Sequence, residues 1–179
     1  TGTFEAYQGV DLLLRSVSRV LEVAEDARFV LVGGQERQIR PMRELAQGLG
    51  VADAVTFTGQ RPLSEMPAYF QAADVLVSPR TAGLNTPLKI YSYLASGRPI
   101  VATRILAHTQ VLTPEVAVLA DPTPEGLAAG ISGVLADKPL AERLARRARA
   151  FAEAEFSHAA YLRKVRGAYE SFAEVAGRG

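Results

Sequence analysis

Two basic side chains draw attention because of where they stand. Arg80 lies in SPRTAGLN, directly after an apolar run that reads as a strand. Lys89 lies in TPLKIYSYLASG, in the first turn of what reads as a helix. In an open parallel sheet, ligands bind beyond the carboxyl ends of the strands, where helix N-termini aim free N–H groups. A cation in a first helical turn opposes the helix dipole, and a bound anion would remove that conflict. The pair therefore points to a phosphate-bearing ligand. Thr86 is placed to cap this helix and Pro87 to occupy its first position. Lys89, Ser92 and Ser96 fall at i, i+3 and i+7 as a polar stripe, with Ile90, Tyr91, Leu94 and Ala95 expected on the buried side.

Other strand exits share this character. FVLV runs into Gly33, Gly34 and Gln35, and AVTF runs into Thr58, Gly59, Gln60 and Arg61. DVLV leads past Arg80 to Gly83, Leu84, Asn85 and Thr86, and the chain starts with Gly2, Thr3 and Phe4 ahead of a helix near Gln8. Any one glycine could simply make a turn. Taken together, the small, polar and basic exits favour a binding crevice. The two histidines carry less. His108 follows a strand end, where capping or packing is the simpler role, and His158 reads as a surface residue at a helix start. No general base is assigned.

The elements that must position these residues alternate along the chain. FVLVG (29–33), AVTFTG (54–59), DVLVSP (74–79), PIVAT (99–103) and VAVLAD (116–121) are nearly continuous apolar runs, the pattern of strands covered on both faces. Between them lie VDLLLRSVSRVLEVA, RQIRPMRELAQGLG, LSEMPAYFQAA and PLKIYSYLAS, which read as helices. Repeated strand–helix–strand units imply right-handed crossovers and a parallel sheet. After VAVLAD the pattern turns helical to the end. The fold class is α/β, a parallel sheet flanked by helices with a helical C-terminal tail.

Composition bounds the function. The chain has 179 residues, 20 Lys and Arg against 19 Asp and Glu, and a net charge of +1, so nothing calls for nucleic acid. It has no cysteine, which removes disulfides and thiolate metal sites and fits a cytoplasmic setting. No apolar run is long enough to span a bilayer. A start without Met or leader suggests a piece of a longer protein. Arg143, Arg146, Arg147 and Arg149 could touch an anionic membrane peripherally, although a solvated face balanced by Glu142, Glu153 and Glu155 is the simpler reading.

In order and spacing, LVGG, VTFTGQ, ADVLVSPR and KIYSYLASGRPIVAT resemble the C-terminal half of a family-4 glycosyltransferase of the two-domain GT-B fold. The resemblance runs nearly end to end. It implies that residues 1–179 form one Rossmann-like, nucleotide-sugar-binding domain, half of a GT-B fold, and that the acceptor (a glycan, lipid or small molecule) is bound by an N-terminal domain absent from this chain. It implies a retaining, metal-independent transfer from a nucleoside diphosphate sugar, with no cofactor. The donor would be held by Gly2, Thr3, Gly33, Gly34, Gly59, Gln60, Arg61, Arg80, Gly83, Leu84, Asn85, Thr86, Lys89 and Ser92. Two departures stand out. The family commonly has Glu at the positions of Leu84 and Ser92, for donor sugar and ribose respectively, and a Lys at the position of Gln8. They are read as features of a subgroup, with Ser92 retuning the site and Arg80 and Lys89 taking the diphosphate. The last helix often crosses to the other half in this family, which would account for Tyr161, Tyr169 and Phe172. A non-catalytic nucleotide-binding or scaffolding module is the alternative. A dinucleotide oxidoreductase is disfavoured because LVGGQE lacks the third glycine of GxGxxG.

Overall fold

The computed structural model describes the backbone of residues 1–176 and side chains through Glu170, so Phe172 lies outside the described side chains. Helix α1 (Val10–Leu21) is followed by β1 (Phe29–Val32), α2 (Glu36–Gly48), β2 (Val55–Gly59), α3 (Met66–Ala72) and β3 (Leu76–Ser78). Then come α4 (Lys89–Ser96), β4 (Ile100–Thr103), the single turn α5 (Leu106–Thr109) and β5 (Val118–Ala120). Helices α6 (Pro124–Ala136), α7 (Lys138–Glu155) and α8 (His158–Ala176) close the chain.

Among the described residues the strands pair in parallel, with one isolated antiparallel bridge between Gly33 and Gly59. β1 pairs with β2, and β3, β4 and β5 pair in that order. Gly2 joins β1 through a parallel bridge to Gly33, with its N–H on the Val32 carbonyl at 2.9 Å. Alternation along β4 divides its residues between two cores, as a strand buried on both faces requires. Val101 joins α1, α2 and α6 through Leu14, Val17, Ala46, Leu127 and Ile131. Ile100 and Ala102 join α3, α4 and α7 through Phe70, Ile90, Leu94, Ala148 and Ala152. The first layer follows from the sequence, since Leu13, Leu14, Val17 and Val20 recur at helical spacing and all are buried.

On α4 the expected buried side needs correction. Tyr93 is 1% exposed and packs edge-on against Phe70 at 5.3 Å between ring centres, whereas Ala95 is exposed. Tyr91 is half-buried against Phe156, the residue that closes α7, at 4.9 Å. The buried stripe therefore faces α3 and β4 and leaves Ser92 and Ala95 turned outward. In the tail, Arg146 pairs with Glu142 and Arg149 with Glu153, the arrangement of a solvated helix face. Tyr161 and Tyr169 are exposed, and among the described residues no helix is long and apolar enough to cross a membrane.

Candidate functional site

A cleft of about 960 Å³ opens at the carboxyl ends of β1 and β2. Gly2, Thr3, Gly33 and Gly34 line one wall, Gln60 and Arg61 the next, and Lys89 and Ser92 the third. Leu63, Met66, Phe70 and Leu88 add an apolar surface. The chain thus brings together these eight residues that the sequence singled out. Gly59, Arg80, Gly83, Leu84, Asn85 and Thr86 stand outside the lining, the last five in the loop that leads into α4.

Lys89 is the first residue of α4, half-buried, and its ammonium donates to the Thr1 carbonyl at 3.1 Å and to the Gln8 amide oxygen at 3.3 Å. Both acceptors are neutral. No carboxylate pairs with Lys89 among the described residues, so its charge is held without being cancelled. Burial chiefly, and then the nearby Arg80 guanidinium, push its pKa down to about 8. The helix begins at Lys89 rather than at Pro87. Its N-cap is Leu88, with no side-chain cap bond, and the entering turn is tightened by Ile90 N–H to Pro87 O at 3.0 Å. The Thr86 cap expected from the sequence is not formed, because residues 82–88 are drawn off as a loop tied to Arg80.

Arg80 lies 4.9 Å over the Tyr7 ring, and its guanidinium donates to the carbonyls of Ala82 at 2.6 Å and Asn85 at 3.4 Å. Gly83 adopts φ 121°, a conformation that favours glycine, and a Cβ there would force the Arg80 guanidinium to shift. Arg80, like Lys89, has no carboxylate partner among the described residues. The Leu84 side chain is 74% exposed while its carbonyl accepts from Gln110. Ser92, at the position where the family commonly has Glu, is exposed in the cleft wall.

Behind the two cations sits His108, fully buried. Its Nδ1 is 2.8 Å from the Thr103 carbonyl, which can only accept, so Nδ1 carries the hydrogen and Nε2 accepts from Ser78 Oγ at 2.9 Å. Thr103 Oγ1 in turn donates to the Arg80 carbonyl. Burial chiefly holds His108 below the ordinary histidine range; the Thr103 carbonyl bond opposes it, and the charges of Lys89 and Arg80 add smaller lowering effects. A neutral imidazole thus pins the exits of β3 and β4. This is the packing role favoured from the sequence. Among the described residues no group of three or more His, Asp or Glu could hold a metal ion.

Sequence reasoning did not place Gln8, Tyr7 or the Thr1 carbonyl against the cations. The contacts join residues far apart along the chain, up to 88 positions for Lys89 and Thr1, and no local signal marks them.

Over 103 residues the chain is 35% identical to the GDP-mannose-dependent alpha-(1-6)-phosphatidylinositol monomannoside mannosyltransferase of Mycolicibacterium smegmatis, covering 54% of this chain and 27% of that protein. HepE from Anabaena, solved in complex with UDP, superimposes with a TM-score of 0.84 at 19% identity, over 95% of this chain and 47% of that one. The C-terminal domain of a group 1 glycosyl transferase from Francisella tularensis gives 0.78 at 19% identity, over 88% and 84% of the two chains. The chain spans less than half the length of the curated relatives it matches, 25% to 44% for the first two. The Rossmann-like sheet is that of GT-B glycosyltransferases. Residues 1–137 match the family of glycosyl transferases group 1, and the chain belongs to it.

Proposed function

We propose that this chain is the nucleotide-sugar-binding domain of a retaining glycosyltransferase, acting with an acceptor-binding domain elsewhere in a longer protein. One observation carries the reading: Arg80 and Lys89, both without carboxylate partners, are held by neutral groups beside a cleft at the strand exits. A leaving nucleoside diphosphate gains negative charge as the glycosidic bond to it breaks. Two fixed cations beside that charge stabilise it, doing by side chains what a divalent ion would otherwise do. The apolar wall of Leu63, Met66 and Phe70 suits a flat base edged by Gln60 and Arg61, and Ser92 suits a ribose hydroxyl. The UDP bound to the HepE relative supports the same ligand class.

Titration calorimetry with UDP, GDP, ADP and NAD tests this reading. Binding of at least one nucleoside diphosphate is expected, with no sugar transfer by the chain alone. Binding of NAD only, or of no nucleotide at all, would end it.

A further inference from the structure

The segment formed by residues 1–9 contains no Lys, Arg or His, yet both cations of the site rest on it. Tyr7 underlies Arg80, and Thr1 and Gln8 receive Lys89. We propose that the Gln8 amide is a positioning residue that holds the Lys89 ammonium at the cleft, and that this place accepts a single positive charge. The proposal rests on the reading of the cleft as a diphosphate site.

The argument is one of charge. Gln8 is half-buried, and its oxygen lies 3.3 Å from Nζ, so whatever replaces it meets the ammonium directly. A neutral acceptor orients the cation and leaves its charge for an incoming anion. A carboxylate at the same point would satisfy the cation internally, and a second ammonium would repel it. The groups facing Lys89 permit no other compensation. Arg80 approaches from the loop after β3, and His108 from α5. The Tyr93 hydroxyl of α4 and the Thr1 amino group meet each other at 3.2 Å. None of these is an acid. The one acid of residues 1–9, Glu5, is engaged 2.7 Å away with Gln38. The cation is supplied from α4 and located by the opposite wall. Two positions 81 residues apart therefore share one job.

The experiment is a charge swap, read by calorimetry with the nucleoside diphosphate that the unaltered chain binds best and with inorganic pyrophosphate. Thermal melting of each variant verifies that it is folded. Gln8→Lys is expected to weaken binding about ten-fold or more through the juxtaposed ammoniums. Lys89→Gln weakens it by removing the cation. The double variant Q8K/K89Q is expected to recover to within about three-fold of the original, the non-additivity that marks a direct coupling. Gln8→Glu is expected to weaken binding at neutral pH and to move the alkaline fall in affinity to higher pH, since a carboxylate raises the lysine pKa. A double variant no better than the worse single one, or a Gln8→Glu pH profile matching the original, would overturn the proposal. If the unaltered chain binds no nucleotide, the reading of the cleft fails first. Normal binding that ignores every Gln8 substitution defeats this inference alone.

Discussion

The starts of α6 and α7 and the start of α4 are closed in opposite ways. Thr123 caps α6 by accepting from Gly126 N–H at 3.0 Å, and Asp137 caps α7 by accepting from Leu140 N–H at 2.9 Å. Each end satisfies its free donors with its own side chain and, in α7, adds the negative charge a helix start favours. The start of α4 has no side-chain cap and presents Lys89, the sign of charge its dipole disfavours. Helix α1, which follows Gln8 and Gly9, also starts without a side-chain cap. In α6 and α7 the N-cap side chain finishes the end internally. The two ends beside the cations carry no side-chain cap, and on the proposed reading a diphosphate would complement the charge there.

The sharpest way to break that comparison is Lys89→Ala. Affinity for a nucleoside diphosphate is expected to fall by about 1–3 kcal/mol, as for a charge-assisted contact, with unchanged affinity refuting the role. The pH profile sharpens it. Above about 8 the ammonium loses its proton, so affinity declines as pH rises past that value. The stability of the unliganded chain moves the other way. An unfolded lysine keeps its proton toward the ordinary 10.5, so between about 8 and 10.5 the unfolded state binds more protons and this group makes folding more favourable as pH rises. The buried Tyr93 hydroxyl, pushed up to about 12 by desolvation, opposes that gain above its ordinary value of 10.0. Melting curves and calorimetry over the same pH series would show whether the two quantities diverge. At the capped ends, Thr123→Ala or Asp137→Ala is expected to cost about 1 kcal/mol of stability and leave nucleotide affinity alone. A loss of affinity there would blur the distinction drawn between the helix ends. The smallest effect is expected from Ser92→Glu. A charge-assisted bond to a ribose hydroxyl would raise nucleotide affinity by about 1 kcal/mol without improving pyrophosphate, which has no ribose. An equal change for both ligands would remove Ser92 from the ribose site.

Much of the architecture was legible along the chain. The five apolar runs became five strands, each trimmed at its ends. Strand β4 is buried on both faces as expected, whereas Val30 of β1 is exposed and no residue of β2 is fully buried. The amphipathic stretches became helices, as their period requires. What could not be read was tertiary. Tyr93 displaced Ala95 from the buried side because the Phe70 ring of α3 waits there. The start of α4 moved to Lys89 because the Arg80 side chain gathers the preceding loop through backbone carbonyls. The single turn of α5 exists to bring His108 between Ser78 and Thr103, a bridge no spacing encodes. Of the candidate site, the cations and glycines could be named from strand exits alone. Of their holders, Tyr7 carried no pattern, and Gln8 stood out only as the position where the family commonly has Lys, not as a partner of Lys89.

Gly9 has a consequence for how a ligand is received. Its left-handed backbone, φ 68°, lies so close to the Pro79 carbonyl that a Cβ would collide with it, and nearby Thr81 N–H bonds to the Tyr7 carbonyl at 2.9 Å. The segment that cradles the cations and the segment that delivers Arg80 are thereby stapled main chain to main chain. On the proposed reading, an arriving anion would meet a site already shaped by folding, and little conformational freedom would be lost on association.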